Sequence, residues 1–409
     1  MTIRGTASRH FRRAIRLGQT AGVTYLGMGL SLLSAPLLAR ELGADGRGVL
    51  AAAFVLVQLL SWSAFLGLPR GLAMQELRNG YASRNALRVV TLLGPIAAVI
   101  AFIASGAAAN GDDRIATYIK VAASVLVLAG LGAVGVERAL IRGQLLAVNL
   151  SRALNLVLPS LAIIIAFGSG VLTLQSAFVI TLSGQMLSVL LGIVLATPLL
   201  RSRTRIPAPW RFSLHYWGGS AFDGIGARVD QLILAACVLP NQLGVYAVAV
   251  TCASAAGGFT QALNQLTYSR FASLPIGSDD APMLRKRTFI GLAMSALSGG
   301  LIVVVVALWG DWLFGSSFDG LFPIVSVLVI AQAMNDQWQL RTYLDSASGD
   351  PSALMWASAC GMVVLVAVAV LLGMSGNLSG LSMAWALVGF AAVRLAVRAI
   401  IHRTRPAPV

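Results

Sequence analysis

The sequence predicts an all-α polytopic membrane protein of about twelve transmembrane helices. Three observations predict it. The composition is too apolar to cover a water-facing surface, the apolar blocks are long enough to cross a bilayer, and arginine-rich loops recur after every second block. Of the 409 residues, 57% are hydrophobic and 11% charged, with a mean hydropathy of +0.81. A soluble domain is about one-quarter charged. A spanning helix needs roughly 20 apolar residues, and in lipid only helices or closed barrels satisfy their own backbone. The blocks lack the alternation of barrel strands, which excludes a barrel.

Helices are predicted at 17–39, 49–68, 89–109, 115–136, 145–167, 173–197, 214–238, 243–267, 289–310, 321–344, 353–374 and 378–401. The apolar signal is weakest at 145–167, because of Arg152, and at 214–238, because of Asp223, Arg228 and Asp230. The basic tail ending at Arg16 precedes a long apolar stretch, which reads as an uncleaved first span rather than a signal peptide. Cys237, Cys252 and Cys360 all fall in apolar blocks, so neither a disulfide framework nor a metal site is expected.

Topology follows from the 30 basic residues. They concentrate in the N-terminal tail, in the loops at Arg70–Arg88, Arg138–Arg142, Arg201–Arg211 and Arg270–Arg287, and at the C-terminal end from Arg394. The opposite side has only Arg40, Arg47 and Arg114. Basic loops stay inside, so both termini are expected in the cytoplasm, with the chain a multi-pass protein of a bacterial inner membrane. The net charge of +15 then marks loops beside anionic lipid, not a nucleic-acid surface.

A faint repeat links the halves. Asp45-Gly46-Arg47-Gly48-Val49 aligns with Asn241-Gln242-Leu243-Gly244-Val245 at an offset of 196 residues. An even number of spans separates the copies, so the repeat is parallel, as in transporters built from two six-span halves. The expected division is residues 1–200, a cytoplasmic linker at 201–213 with Pro207 and Pro209, and residues 214–409.

Charges inside a membrane are costly and usually face a bundle interior or a water cavity. Helix seven carries Asp223, Arg228 and Asp230; the two carboxylates are seven residues apart and share a face. They read as a lumen site for coupling ions or a polar substrate, or else Arg228 and Asp230 form a structural pair. Helix ten carries a polar stripe of Gln332, Asn335, Asp336, Gln339 and Tyr343, with Arg341 nearby. Such a stripe either lines a water-filled cavity or makes interhelical hydrogen bonds. Weaker candidates are Gln261 and Asn264 on helix eight, Lys120 within helix four, and Arg152, whose fork matches phosphate oxygens. Lys120 and Arg152 also read as snorkelling side chains.

No H-E-x-x-H, G-x-S-x-G or G-x-x-x-x-G-K-[ST] motif occurs. No catalytic residue, cofactor or metal is expected, and the chain reads as a carrier rather than an enzyme.

Two stretches carry a family resemblance. Ala39-Arg40-Glu41-Leu42-Gly43, followed by Gly46-Arg47-Gly48, resembles the start of the bacterial polysaccharide exporters, the lipid-linked oligosaccharide flippases of the multidrug/oligosaccharidyl-lipid/polysaccharide (MOP) superfamily. Arg228-Val229-Asp230-Gln231-Leu232, then Leu243-Gly244-Val245-Tyr246-Ala247, is similar to that family's mid-chain signature, and Phe314-Gly315-Ser316-Ser317-Phe318 to a small-residue loop before helix ten. The resemblance implies a MATE-like fold of two six-helix halves in a V around a central cavity, with alternating access. The implied substrate is an isoprenoid-pyrophosphate-linked oligosaccharide, moved to the outer leaflet, with a proton or sodium ion resetting the cycle through Asp223 or Asp230. Arg228 and Arg341 are the few arginines expected in the lumen. A drug or cation antiporter of the same superfamily, which prefers acidic lumen residues, is the first alternative. A glycan ligase or polymerase is the second, and the short outward loops speak against it. A non-transporting scaffold of a cell-envelope synthesis complex is the third.

Overall fold

The computed structural model describes residues 3–200, 206–226, 228–271, 281–348 and 352–404. Among them the secondary structure is helical throughout, with no strand. α1 (Ile3–Ser63) joins the first two predicted spans and is broken at Gly43, whose φ of 64° and ψ of −178° lie in a region open only to glycine. α2 (Leu68–Asn79) is short, with Pro69 in its first turn, where a missing N–H costs nothing. α3 (Arg84–Ala108) follows. α4 (Asp113–Ala122) and α5 (Leu126–Ile141) form one rod through a 3₁₀ turn at Ala123–Val125. Asp112 caps α4: its Oδ1 accepts the N–H groups of Arg114 at 2.8 Å and Ile115 at 3.2 Å.

α6 (Leu145–Arg152) and α7 (Leu158–Gly168) form the next rod, interrupted by a π turn at Ala153–Val157. Pro159, which has no N–H to continue the ladder, comes directly after it. α8 (Leu174–Leu200) is followed by α9 (Trp210–Gly226) and α10 (Val229–Cys237), the two pieces of the predicted seventh span. The rest are α11 (Pro240–Phe271), α12 (Ala281–Phe314), α13 (Leu321–Ser348), α14 (Ser352–Met374) and α15 (Gly380–Thr404).

Nine helical stretches among the described residues are long and apolar enough to cross a membrane. One of them, Gly29–Asn79, contains the Gly43 break and so takes in parts of two predicted spans. The predicted spans at 214–238 and 321–344 are helical but are not among the nine. The first is interrupted between α9 and α10, and the second carries the polar stripe. At 28 residues, α13 is about 42 Å long, which exceeds the bilayer core. The chain is a multi-pass membrane protein, and about twelve spanning helices fit it.

The helices form two compact units. One comprises Met1–Leu38, Leu60–Ala104 and Thr117–Trp217; the other comprises Ala39–Leu59, Ser105–Ala116 and Gly218–Val409. In the first, the buried residues Phe65, Leu68, Leu72, Leu87, Val90, Val134 and Leu199 bring α2, α3, α5 and α8 together.

Two features repeat along the chain. In the second unit α1 and α11 cross backbone to backbone. A Cβ on Gly48 would lie 1.6 Å from the carbonyl oxygen of Pro240, and one on Gly244 would lie 1.8 Å from that of Ala44. The contact is reciprocal under the offset that relates the two sequence motifs. A second repeat escaped the sequence reading. Ser169-Gly170-Val171-Leu172-Thr173 leads into α8, and Ser375-Gly376-Asn377-Leu378-Ser379 leads into α15. Gly170 and Gly376 have φ of 70° and 71°. In each copy a hydroxyl caps the helix: Ser176 N–H donates to Thr173 Oγ1, and Ser382 N–H to Ser379 Oγ, both at 3.2 Å. The return bonds, Thr173 N–H to Ser176 Oγ and Ser379 N–H to Ser382 Oγ, are both 2.8 Å.

Candidate functional site

The second unit gathers most of the residues that the sequence singles out. On α13, Gln332 and Asp336 are one turn apart, and the Gln332 amide donates to Asp336 Oδ1 at 2.8 Å. Asp336 Oδ2 accepts from Ser295 of α12 at 3.1 Å, and Ser295 shares a proton with Thr260 of α11 at 3.0 Å. Gln261 bonds to the same carboxylate. Asn264 spans two turns of α13, donating to the Asp336 carbonyl at 2.8 Å and to Gln339 Oε1 at 3.3 Å. Gly257 makes room for this: a Cβ there would meet the Gln332 amide nitrogen at 2.4 Å. Asp336 is 1% exposed, and among the described residues no arginine or lysine pairs with it. Its charge is balanced only by neutral donors.

The rest of the predicted stripe turns elsewhere. Asn335 faces α15, where its Oδ1 accepts from Arg394 at 2.9 Å; Arg394 also stacks on Phe390 and Trp338. Arg341 bonds back to the Gln337 carbonyl at 2.9 Å. Tyr343 is half-buried, two residues before Asp345. Asp345, not picked out from the sequence, is buried and accepts from Arg398 Nε at 2.7 Å and from Arg398 Nη2, with His402 at 3.4 Å. Thus the stripe divides between two helix–helix seams, and in this conformation it takes the interhelical hydrogen-bonding form.

On the interrupted rod, Asp230 is 3% exposed and its Oδ2 accepts from the Tyr246 hydroxyl of α11 at 2.6 Å. Its Oδ1 has no hydrogen-bond partner among the described residues. Arg228 sits at the break before α10, and among the described residues no ion pair joins it to Asp230. The side chain of Asp223 lies outside the described residues.

In the first unit, Lys120 is exposed, with its ammonium 5.1 Å from the Phe102 ring centroid, and Arg152 ends α6 beside the π turn. The principal charge cluster here was read from sequence only as loop arginines. Glu76 of α2 is buried and takes Arg138 Nε of α5 at 3.1 Å and, at 2.5 Å, Nη2 of Arg142, the residue that ends that helix. Arg70 pairs with Glu137 at 2.6 Å. A carboxylate on a short helix followed four residues apart by two arginines was the available signal, but nothing in the sequence says that α2 lies on α5.

Among the described residues no group of three or more histidine, cysteine or acidic side chains could hold a metal ion. Among the described residues the arrangement provides a buried carboxylate held by neutral donors and a paired cluster of Glu76 with two arginines.

The fold places the chain in a class. It is similar to an inward-facing multidrug resistance MATE family transporter of the MOP superfamily, at 14% identity over 92% of this chain and 96% of that one, with a TM-score of 0.63. It is also similar to the lipid II flippase MurJ in an inward closed conformation, at 10% identity over 95% of this chain and 88% of that one, with a TM-score of 0.65. A eukaryotic MATE transporter matches at 13% identity over 97% and 96% of the two chains, with a TM-score of 0.59. At these identities the likeness establishes the MATE-like fold. No curated protein matches the chain in sequence. The family described as polysaccharide biosynthesis protein matches residues 37–318, more than half the chain, and the chain belongs to that family.

Proposed function

We propose that this chain is a flippase. It carries an oligosaccharide linked to an isoprenoid pyrophosphate from the cytoplasmic to the outer leaflet of a bacterial inner membrane, by alternating access between two six-helix halves. The observation that carries the reading is the family match over residues 37–318 on a MATE-like fold. Polysaccharide synthesis needs sugar heads moved across a hydrocarbon core about 30 Å thick, which they do not cross unaided. The charge asymmetry of the loops supports cytoplasmic termini and an outward turn at Asp45–Arg47. The halves run over 1–200 and 214–409 about the linker at 201–213.

Asp336 is the proposed coupling group. A buried carboxylate held only by neutral donors binds a proton or a sodium ion without displacing an existing cation. Oxygens of Ser295 and Thr260 lie beside it. This moves the coupling role from Asp223 or Asp230 to α13.

The test is reconstitution into liposomes with a fluorescent lipid-linked oligosaccharide and a membrane-impermeant quencher. Protein that flips exposes more than the outer-leaflet half of the probe. Quenching that stops at half, as in empty liposomes, removes the proposal. The antiporter reading keeps one observation in its favour, the buried carboxylates Asp230 and Asp336, neither of which is in a salt bridge among the described residues. It requires proton-driven accumulation of ethidium in the same liposomes, which the flippase reading does not produce.

A further inference from the structure

Arg47 is a cation of the second unit that packing among the described residues does not explain. It follows the Gly43 break and lies in the first turn of the limb of α1 that continues to Ser63. The positive end of a helix dipole already disfavours a cation there. Its Nε is buried with no hydrogen-bond partner among the described residues, while the side chain as a whole remains partly exposed. The nearby acids are committed elsewhere: Asp45 pairs with Arg114 at 3.1 Å, and Asp112 approaches the same Arg114 at 3.6 Å. Two carboxylates therefore converge on Arg114, while among the described residues none pairs with Arg47.

The internal repeat removes the simplest alternative. Under the offset that superposes Gly48 on Gly244, the counterpart of Arg47 is Leu243, which is 1% exposed. A leucine fills that position in the other copy, so the crossing needs no charge there. What Arg47 adds is a planar fork of donors, its Nε buried and unpaired in a side chain that is partly exposed, and such a fork matches phosphate oxygens.

We propose that Arg47 is an anion site at the outward end of the second unit, contacting the phosphate of the lipid-borne substrate. The proposal rests on the flippase reading and on its topology, and it deepens that reading by naming a phosphate contact absent from the sequence-based lumen set.

The test uses the full-length protein in nanodiscs, with farnesyl diphosphate as the probe and binding followed by thermophoresis of the labelled protein. Arg47→Gln is expected to weaken binding at least about tenfold, the loss of a charge-assisted pair. Arg47→Lys should be intermediate, since it keeps the charge and loses the fork. Arg47→Leu, which reproduces the residue of the other copy, should fold and melt as the wild type while binding as weakly as Arg47→Gln. Tenfold excess phosphatidylglycerol should leave the wild-type affinity unchanged. Variants that bind within twofold of wild type overturn the proposal and leave the flippase reading intact. Displacement by phosphatidylglycerol also overturns it, making the residue a headgroup contact of the outer leaflet. A wild type that neither binds the probe nor flips labelled lipid overturns both.

Discussion

Gly48→Ala tests the helix crossing on which the second unit is built. The added methyl would lie 1.6 Å from the Pro240 carbonyl oxygen, where ordinary contact begins at 3.4 Å. The obstacle is backbone, so no rotamer change relieves it and the crossing must open by roughly 2 Å. Overpacking of this kind costs about 1–3 kcal/mol, and the rigid partner places it near the upper end. Alanine returns about 1 kcal/mol of helix propensity, leaving a net loss of roughly 2 kcal/mol. Gly106→Ala on α3 is the control: nothing lies within 4 Å of its Cβ, so it should stabilise slightly. Gly244→Ala should match Gly48→Ala, because the contact is reciprocal. The double variant should cost about as much as either single one, a coupling of roughly 2 kcal/mol, since one opening accommodates both methyls. Thermal unfolding of fluorescent-protein fusions, read by size-exclusion chromatography, ranks the four proteins. A Gly48→Ala protein that melts with Gly106→Ala, or a double variant whose losses simply add, refutes the reasoning.

Further outcomes follow from the buried charges and the topology. Glu76→Gln leaves Arg138 and Arg142 without their shared carboxylate and should destabilise by about 3 kcal/mol or more; adding Arg138→Met should recover part of the loss in the same melting assay. Asp336→Asn keeps an acceptor for Gln332 and turns the other oxygen into an N–H donor that the Ser295 hydroxyl can accept, so the protein should fold and bind lipid-linked substrate yet lose the dependence of flipping on an ion gradient. Flipping by Asp336→Asn that still responds to the gradient refutes the coupling role. A reporter fused at the C-terminus should read cytoplasmic, and one inserted between Asp112 and Asp113 should read external; the reverse pattern overturns the topology.

The sequence made the rods legible and their partners obscure. Apolar blocks locate spans because their length is set by the bilayer. The predicted 173–197 and 353–374 fall within α8 and α14 almost end to end. The Gly43 break, the π turn after Arg152 and the interruption before Arg228 were beyond hydropathy, which measures solvent preference and not backbone path. At the site, helical spacing rightly put Gln332, Asp336 and Gln339 together, because a period of 3.6 stacks them on one face. It also grouped Asn335 with them, though that side chain turns to Arg394 of α15, because spacing cannot say which neighbour each side of a helix meets. Arg138, read as a loop charge, and Arg394 and Arg398, read as charges of the C-terminal end, are buried. Their location near helix ends was correct, while their partners Glu76, Asn335 and Asp345 depend on tertiary packing that no local pattern encodes.

The meeting of Gly48 with Gly244 also has a symmetry. A seam in which each side of the join offers the same glycine to the same carbonyl four residues upstream is what two identical subunits make across a dyad. Such a seam uses only main-chain atoms and a missing side chain, so the residues around it are free to differ, as Ala44 and Pro240, Asp45 and Asn241, and Arg47 and Leu243 do.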